Sequence, residues 1–211
     1  MSLKKLSVFM GAALLSVGLV GCSTGSNLPE GDVKVVKQEV SGVISLLLES
    51  ANYGPNHTTV ASMVLPQDSQ YTLNVTMEEY ENGELVNTRE LANHTTDMIT
   101  KESIVHVIMN AGMGVDEQSI FSIAEVDSEK TTDTSSPEYK SSKSFETGID
   151  YDEKVDLVQV GTDLGEEVVV TAYVKYKADA TEKAPITLET YKDEVSNYEK
   201  VSVLKVKVVA K

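Results

Sequence analysis

Alternation between apolar and polar residues is the feature of this sequence that most restricts its fold. Over residues 71–77 every second residue is apolar, and the residues between them are threonine or asparagine. Successive side chains of a β-strand point to opposite faces, so this period of two predicts a strand with one buried face and one wet face. Asn82-Gly83 follows, a strong hairpin signal, and a second strand is expected over residues 85–91.

Two registers are open to this hairpin. A two-residue loop would place Glu81 opposite Glu84, and like charges that face each other directly are unfavourable. A three-residue loop with Gly83 in the left-handed bulge position would instead place Tyr80 opposite Glu84. The charge argument therefore favours the three-residue loop.

Comparable short apolar or alternating segments occur along most of the chain. They predict further strands over residues 33–40, 43–49, 59–65, 103–110, 119–126, 155–160, 166–177, 186–191 and 200–211. The run 43–49 fits either a buried strand or one and a half turns of helix, and the glycine before it favours the strand. Residues 103–110 are apolar on both faces, which predicts a central strand covered on both sides.

The two C-terminal strands carry the clearest facial patterns after the hairpin. The strand at 166–177 is expected to place five side chains on one face: Val168, Val170, Ala172, Val174 and Tyr176. The strand at 200–211 is expected to point Leu204, Val206 and Val208 inward and Lys205 and Lys207 outward.

About ten strands joined by short turns, with no long segment of helical period, predict an all-β fold. We expect an antiparallel β-sandwich, for which an immunoglobulin-like arrangement is one candidate form. Residues 127–144 are almost wholly polar, and they mark either a long exposed loop or a subdivision of the domain. A faint similarity between residues 76–82 and 187–193 would fit two tandem units, although such matches arise easily among β-prone residues; one domain is favoured.

The N-terminal segment has the organisation of a secretory signal. Lys4 and Lys5 precede an apolar run over residues 6–20, which is shorter than the roughly 20 residues that a transmembrane helix needs. The run closes on Leu19-Val20-Gly21-Cys22, which holds the single cysteine of the chain. This tetrapeptide resembles the lipobox of bacterial lipoproteins.

The resemblance implies that the Cys22 thiol receives a diacylglyceryl group and that cleavage falls after Gly21. Leu19, Val20 and Gly21 would be the residues that the signal peptidase recognises. Two or more acyl chains hold a protein stably on a bilayer, so the expected location is extracytoplasmic, on the bacterial cell membrane or envelope. The expected division of the chain is a signal peptide at 1–21, a lipidated flexible tether at 22–32 and a β-sandwich domain at 33–211.

The charge of the chain limits its partners. It has 33 Asp and Glu against 18 Lys and Arg, a net charge of −15. Nucleic acid and anionic lipid both attract basic surfaces, so we expect no nucleic-acid partner and no direct adhesion of the domain to lipid. The lipid on Cys22 is the only cofactor-like group expected, and no disulfide can form in the domain.

Catalytic and metal sites find little support. His57 and His94 share the context Asn-His-Thr-Thr, but three successive strands of a meander would separate them to opposite ends. His106 lies in mid-strand, where a core histidine is favoured over a metal ligand.

The cluster Asp150, Asp152, Glu153 and Asp156 lacks the register of a calcium-binding EF-hand loop, so a solvated acidic turn is favoured. Motifs such as G-x-S-x-G and H-E-x-x-H are missing from the sequence.

The sequence therefore predicts a membrane-anchored lipoprotein that is not an enzyme and that acts by binding or by supporting an envelope assembly. Its partner, a protein or another envelope component, is left open. Recognition is expected on a strand edge or on the loops at 52–58, 93–102, 110–118 and 127–144. The alternative is an envelope hydrolase or metal-dependent enzyme that uses His94 or His106 with acidic residues.

Overall fold

A computed structural model describes residues 28–51, 53, 56–112, 117–127 and 138–211. The predicted signal peptide, its recognition residues Leu19, Val20 and Gly21, the lipid-attachment residue Cys22 and most of the tether lie outside the described residues. The predicted recognition loops at 52–58, 110–118 and 127–144 are described only in part.

Two antiparallel sheets contain all eleven strands of the described residues. The first sheet contains β1 (Val33–Lys37), β2 (Thr58–Val64), β5 (Ser103–Asn110), β6 (Gln118–Asp127), β7 (Glu138–Thr147) and β9 (Gln159–Thr162). The second contains β3 (Tyr71–Glu81), β4 (Glu84–Thr95), β8 (Glu153–Asp156), β10 (Glu167–Tyr176) and β11 (Tyr198–Ala210). Their orders are β7-β6-β5-β2-β1-β9 and β4-β3-β11-β10-β8. The prediction of an all-β antiparallel sandwich is confirmed.

The main core fills the space between the two sheets. On β3 the apolar residues of the alternating segment are buried and lie opposite those of β11, as the pairs Leu73–Val208, Val75–Val206 and Met77–Leu204. The first sheet contributes residues such as Met63 and Phe121 to the same cluster. Burial of each such side chain contributes about 1.5–3 kcal/mol, which makes this cluster the main source of stability.

A second core cluster lies on the outer side of the second sheet. Residues 177–197 cross that face and include helix α2 (Tyr191–Glu194) and a 3₁₀ helix (Val195–Asn197). The strand predicted over 186–191 is therefore wrong, and the similar segments 76–82 and 187–193 have different structures. Lys205 points outward from the main core as predicted, but this segment covers it and leaves it 5 % exposed.

A bulge in β10 divides its apolar residues between the two clusters. The register with β11 shifts between Val169 and Thr171. Val168 and Val170 consequently face the main core, whereas Ala172, Val174 and Tyr176 face the outer cluster. The prediction that all five share one face is wrong, because a bulge inserts one residue and reverses the alternation beyond it.

Helix α1 (Gly42–Ser50) replaces the strand predicted over 43–49. Its backbone bonds are made within the helix, and β1 and β2 pair directly with each other, so no place in the sheet remains for this segment. None of the residues of α1 is buried. Neither α1 nor the other described helices have the length and apolar composition that crossing a membrane would require.

The β3–β4 hairpin has the register that the charge argument disfavoured. Glu81 pairs with Glu84 around the two-residue loop, and the bulge lies further along, between Glu79 and Tyr80. Asn82 and Gly83 have φ of +50° and +92°, as a type I′ turn requires. Lys200 Nζ lies 3.6 Å from Glu81 Oε1 and compensates its charge. The charge argument from the sequence considered only the hairpin residues and therefore did not include Lys200.

Three further segments differ from their predictions. Residues 138–144 belong to β7 and not to a loop, whereas 128–137 lie outside the described residues. The strand predicted at 155–160 is divided into β8 and β9, which belong to different sheets and close one side of the sandwich. β5 is central, but its outward side chains Ile104, His106 and Ile108 remain partly exposed in the described structure.

Candidate functional site

A cleft lies where the β8–β9 corner, the start of β10 and helix α2 meet. Its volume is about 550 Å³, within the range of about 300–1,000 Å³ typical of small-molecule sites. Its apolar wall includes Leu157, Val160, Val169 and Leu188. Its charged residues are Glu167, Glu189, Lys192, Asp193 and Lys205. The cleft therefore combines an apolar wall with a charged rim and floor.

Lys205 forms part of the cleft floor within a buried charged cluster. Its Nζ donates to Glu78 Oε1 at 2.5 Å and to Glu167 Oε2 at 2.9 Å. The other oxygen of Glu78, Oε2, accepts from Tyr80 Oη at 2.8 Å and from Tyr191 Oη at 2.7 Å. Glu78 thus accepts three hydrogen bonds, which offset the cost of burying its charge. The two bonds of Lys205 use two of its three ammonium protons.

Helix α2 is held over this cluster by its own acidic residue. Glu194 accepts from the Thr190 hydroxyl at 2.5 Å and from the Thr187 backbone N–H at 3.1 Å. These bonds close the turn that precedes α2 and fix Tyr191, whose ring is buried and whose hydroxyl reaches Glu78. Lys192 lies 5.8 Å from the centre of the Tyr191 ring, a cation–π contact at the cleft rim.

The environment holds Glu78, Lys205 and Tyr191 in their usual protonation states at neutral pH. Burial acts to raise the pKa of Glu78, but hydrogen bonds from Lys205, Tyr191 and Tyr80 outweigh it and lower that pKa. Burial acts to lower the pKa of Lys205, but hydrogen bonds to Glu167 and Glu78 raise it. Burial and the bond to Glu78 raise the pKa of Tyr191.

These shifts indicate what the cluster can do. A general acid or base works best with a pKa near the operating pH, and the pKa values of Glu78 and Lys205 move away from neutrality. An ammonium that stays protonated is also a poor nucleophile. The cluster instead provides fixed charges and hydrogen-bonding groups at the floor of a partly apolar cleft, which is an arrangement suited to binding.

The predicted acidic turn has separate partners for each carboxylate. Asp150 pairs with Lys175, Asp152 accepts from the Tyr176 backbone N–H at 2.9 Å, and Glu153 accepts from the Tyr176 hydroxyl. Asp152 is exposed and Asp150 and Glu153 are partly exposed, as expected for a solvated turn, whereas the Asp156 side chain is only 5 % exposed. Within the described residues, no group of three or more potential ligands is arranged to hold a metal ion.

Asp156, the last carboxylate of this turn, belongs to a different network. It accepts from Thr59 Oγ1 at 2.6 Å and lies 3.1 Å from both Lys37 Nζ and Lys154 Nζ. Burial acts to raise the pKa of Asp156, but Lys154, Thr59 and Lys37 lower it. Asp156 and Lys154 belong to β8, whereas Lys37 and Thr59 belong to the first sheet, so this network fastens the closed side of the sandwich.

The three histidines have separate partners in the structure. His57 Nδ1 lies 2.5 Å from the Tyr151 hydroxyl, and His106 Nδ1 lies 2.8 Å from Ser62 Oγ. His94 Nε2 lies 3.4 Å from Glu125 Oε2. The expected three-strand meander is wrong, because β2 belongs to the first sheet and β3–β4 to the second. The cleft over Lys205 includes none of the three rings.

Sequence reasoning missed the residues that form this cleft. Glu78 and Lys205 stand at positions that the period of two assigns to solvent. A signal was nevertheless present, because Val201 and Val203 share the outward face of β11 with Lys205 and would be costly to expose together.

Comparisons with family models, with curated proteins and with solved structures gave no significant match. What the cleft binds must therefore be inferred from its own residues.

Proposed function

We propose that this protein is a bacterial lipoprotein, anchored outside the cytoplasm through Cys22, that binds an envelope ligand or partner in the cleft over Lys205. The anchoring part rests on the lipobox-like sequence Leu19-Val20-Gly21-Cys22. The binding part is carried by one observation: a cleft of about 550 Å³ whose floor holds a protonated lysine between two carboxylates.

The path of the N-terminal segment would keep this cleft close to the membrane. A Cβ on Gly161 would lie 1.7 Å from the carbonyl oxygen of Glu30, so the chain before β1 passes directly against β9. Gly161 also lines the cleft. Glu30 lies eight positions after Cys22, and this stretch spans at most about 29 Å when fully extended. The proposed anchor would thus hold the cleft within about 30 Å of the lipid headgroups.

The residues of the cleft restrict the chemistry of the ligand. The cleft carries three carboxylates, those of Glu167, Glu189 and Asp193, and two ammonium groups, those of Lys192 and Lys205. The charge of Lys205 is already partly neutralised by its carboxylate partners, so the net charge of the cleft is negative. A complementary ligand has a positively charged group for the rim and an apolar body for the wall around Leu188. A carbonyl or carboxylate oxygen of the ligand could accept the remaining proton of Lys205. A peptide segment with a lysine or a free amino terminus meets these requirements.

The enzyme alternative has less support from the geometry. A hydrolase built on His94 or His106 would need a concave site around one of these rings, and the described cleft includes neither. The lowered pKa of Glu78 and the raised pKa of Lys205 also favour fixed charge over proton transfer. Binding is therefore the function that the site supports best.

The anchoring proposal is tested by fractionation of cells that express the full-length chain. Cys22→Ser should move the protein from the membrane to the soluble extracytoplasmic fraction, because no acyl chain could be attached. Ser26→Ala, a change in the tether outside the motif, should leave it with the membrane. Retention of the Cys22→Ser protein in the membrane fraction would contradict the proposal.

The binding proposal is tested by a photo-crosslinking amino acid placed at Lys192, an exposed position on the cleft rim, in the membrane-anchored chain. A defined crosslinked product is expected from this position and should be lost when Lys205→Met is added. The same amino acid at Thr88, an exposed position on β4, is the matched control. Equal products from both positions, or no product from Lys192, would show that the cleft is not the binding site.

A further inference from the structure

Strand β8 pairs with only part of β10, and this leaves a gap beside the start of β10. The two strands are paired over residues 171–174 of β10. The Leu157 N–H then donates to the Val170 carbonyl at 2.9 Å, after which the chain crosses to the first sheet as β9. Among the described strands, only β11 pairs with β10 over residues 167–169. The cleft over Lys205 occupies this gap, because residues 167–169 line it.

Strand β11 lies between β10 and β3, and its successive residues direct their backbone groups to these two neighbours in turn. The Val208 carbonyl accepts from the Gly165 N–H at 2.7 Å, on the side of β10. The Lys211 N–H, directly after β11, donates to the Gln70 carbonyl at 3.0 Å, on the side of β3. The even-numbered residues of this part of β11 therefore bond toward β10, and the odd-numbered residues bond toward β3.

This alternation determines where the backbone groups of two β10 residues point. Glu167 is opposite Lys207 and Val169 is opposite Lys205, and both lysines are odd-numbered. In an antiparallel pair, both residues bond toward each other or both bond away. The N–H and C=O groups of Glu167 and Val169 therefore point away from β11 and into the gap, where no described strand pairs with them. Such a row of backbone groups is a template on which another chain adds as a strand.

The side chains around the gap differ between the two sides of the sheet. On the outer side, Glu167 is bonded to Lys205 and lies with the other two carboxylates of the cleft. On the inner side, Val168 belongs to the main core and Val160 packs against it. A strand beside β10 would present alternate side chains to these two sides. Basic side chains suit the outer side, and apolar side chains suit the inner side.

We propose that the ligand of this cleft is an extended polypeptide segment that adds to β10 as a β-strand beside residues 167–169. Its backbone bonds to the groups of Glu167 and Val169, and its side chains alternate between basic on the outer side and apolar on the inner side. This inference rests on the proposed binding function of the cleft, and it specifies the class of ligand and the mode of binding. In this mode main-chain bonds supply affinity, and alternate side chains supply specificity.

Charge favours a separate polypeptide over the tether of the same chain as the occupant. The tether reaches the cleft at Glu30, which lies directly against Gly161. Residues 22–32 contain no lysine or arginine, and they include two acidic residues, Glu30 and Asp32. The net negative charge of the cleft would repel such a segment. A ligand with basic residues is the better match.

Mass spectrometry of the product crosslinked from Lys192 in the membrane-anchored chain is the first test. A polypeptide linked through a segment of alternating basic and apolar residues is the expected result. A glycan or a lipid as the linked group would overturn this inference while the cleft remained a binding site. An intramolecular product with residues of the same chain would overturn both proposals, and so would the absence of any product.

Synthetic peptides test the mode of binding on the purified full-length chain in detergent. The probe is fluorescein-labelled Val-Lys-Val-Lys-Val, and the control has the same composition in the order Val-Val-Val-Lys-Lys. Fluorescence anisotropy should show about tenfold weaker binding of the control. Two further probes carry N-methyl groups on both lysines or on all valines. Only one of these two should lose binding, because alternate N–H groups of an added strand face β10. Equal binding of all four peptides, or no binding of the alternating probe, would overturn the inference.

Two substitutions at Glu167 separate the backbone contribution from that of the carboxylate. Glu167→Ala and Glu167→Pro both remove the carboxylate, but only proline also removes the N–H that points into the gap. Glu167 is the first residue of β10, a position where strands accept proline. Glu167→Pro should therefore bind the Val-Lys-Val-Lys-Val probe about tenfold more weakly than Glu167→Ala. Equal affinities would overturn the inference, and the N-methylated probes test the same bond without changing the protein.

Discussion

Glu78 and Lys205 form an ion pair, with 2.5 Å between Oε1 and Nζ, across the neighbouring strands β3 and β11. Their side chains are only 11 % and 7 % exposed. Tyr191 closes the pair from above through its hydrogen bond to Glu78. The pair therefore joins helix α2 to the sheet, and its Lys205 also forms part of the cleft floor.

The first prediction concerns the stability of this pair. Glu78→Gln should lower the free energy of unfolding by about 3 kcal/mol, the lower end of the range for breaking a buried pair, because Glu167 still compensates Lys205. Urea denaturation of the Cys22→Ser chain measures the change. The control is Glu81→Gln, which removes an exposed pair with Lys200 at 3.6 Å and should cost less than about 1 kcal/mol. Equal losses in the two variants would contradict the prediction.

The second prediction concerns the pH dependence of the same contribution. The pKa of Glu78 is lowered from 4.5 in the folded chain, so the unfolded chain binds more protons as the pH falls below that value. Its stabilising contribution is therefore fully present above about pH 4.5 and is lost as the pH falls through the lowered pKa. The stability difference between the wild type and Glu78→Gln should shrink between pH 6 and pH 3 in urea titrations. A constant difference would contradict this assignment.

Local rules predicted the sheets well but failed for helix α1. The alternation at Tyr71–Met77 is a property of the strand itself, and β3 follows it residue by residue. The run at 43–49 has no such period, so its conformation depends on whether a sheet has room for it. Direct pairing of β1 with β2 removes that room, and only the assembled sheet contains this information.

The candidate site was less predictable because a distant segment determines it. Thr76, Glu78 and Lys205 occupy outward positions, and a period-of-two argument assigns all three to water. Residues 186–195 then cover Glu78 and Lys205. The valines at 201 and 203 indicated that the face would be covered, but no local pattern could indicate by which segment.

The third prediction concerns Arg89, which joins the two sheets on the side opposite β8 and β9. Its Nη2 donates to Glu79 at 2.8 Å and its Nη1 to Glu146 on β7 at 2.7 Å. Arg89→Met should cost about 1 kcal/mol, because the pairs are partly exposed and screened. Backbone amide hydrogen exchange of β7 should increase more than that of β11. Arg89→Lys should keep only part of the protection of β7 against exchange. A lysine retains the positive charge, but it lacks the planar guanidinium fork that reaches both carboxylates. Unchanged exchange in β7 would show that the bridge does not fasten that edge.

The last prediction concerns calcium at the acidic turn over residues 150–156. Calcium requires six to eight oxygen ligands at about 2.3–2.6 Å, and they must converge on one point. Here the carboxylates diverge, because Asp150 is paired with Lys175, whereas Asp156 is paired with Lys154 and with Lys37 of the first sheet. Binding would have to break these ion pairs before any coordination began. Millimolar calcium should therefore leave the melting temperature of the Cys22→Ser chain unchanged, and equimolar magnesium is the control for ionic strength. A rise with calcium that magnesium does not reproduce would show that the turn rearranges into a site.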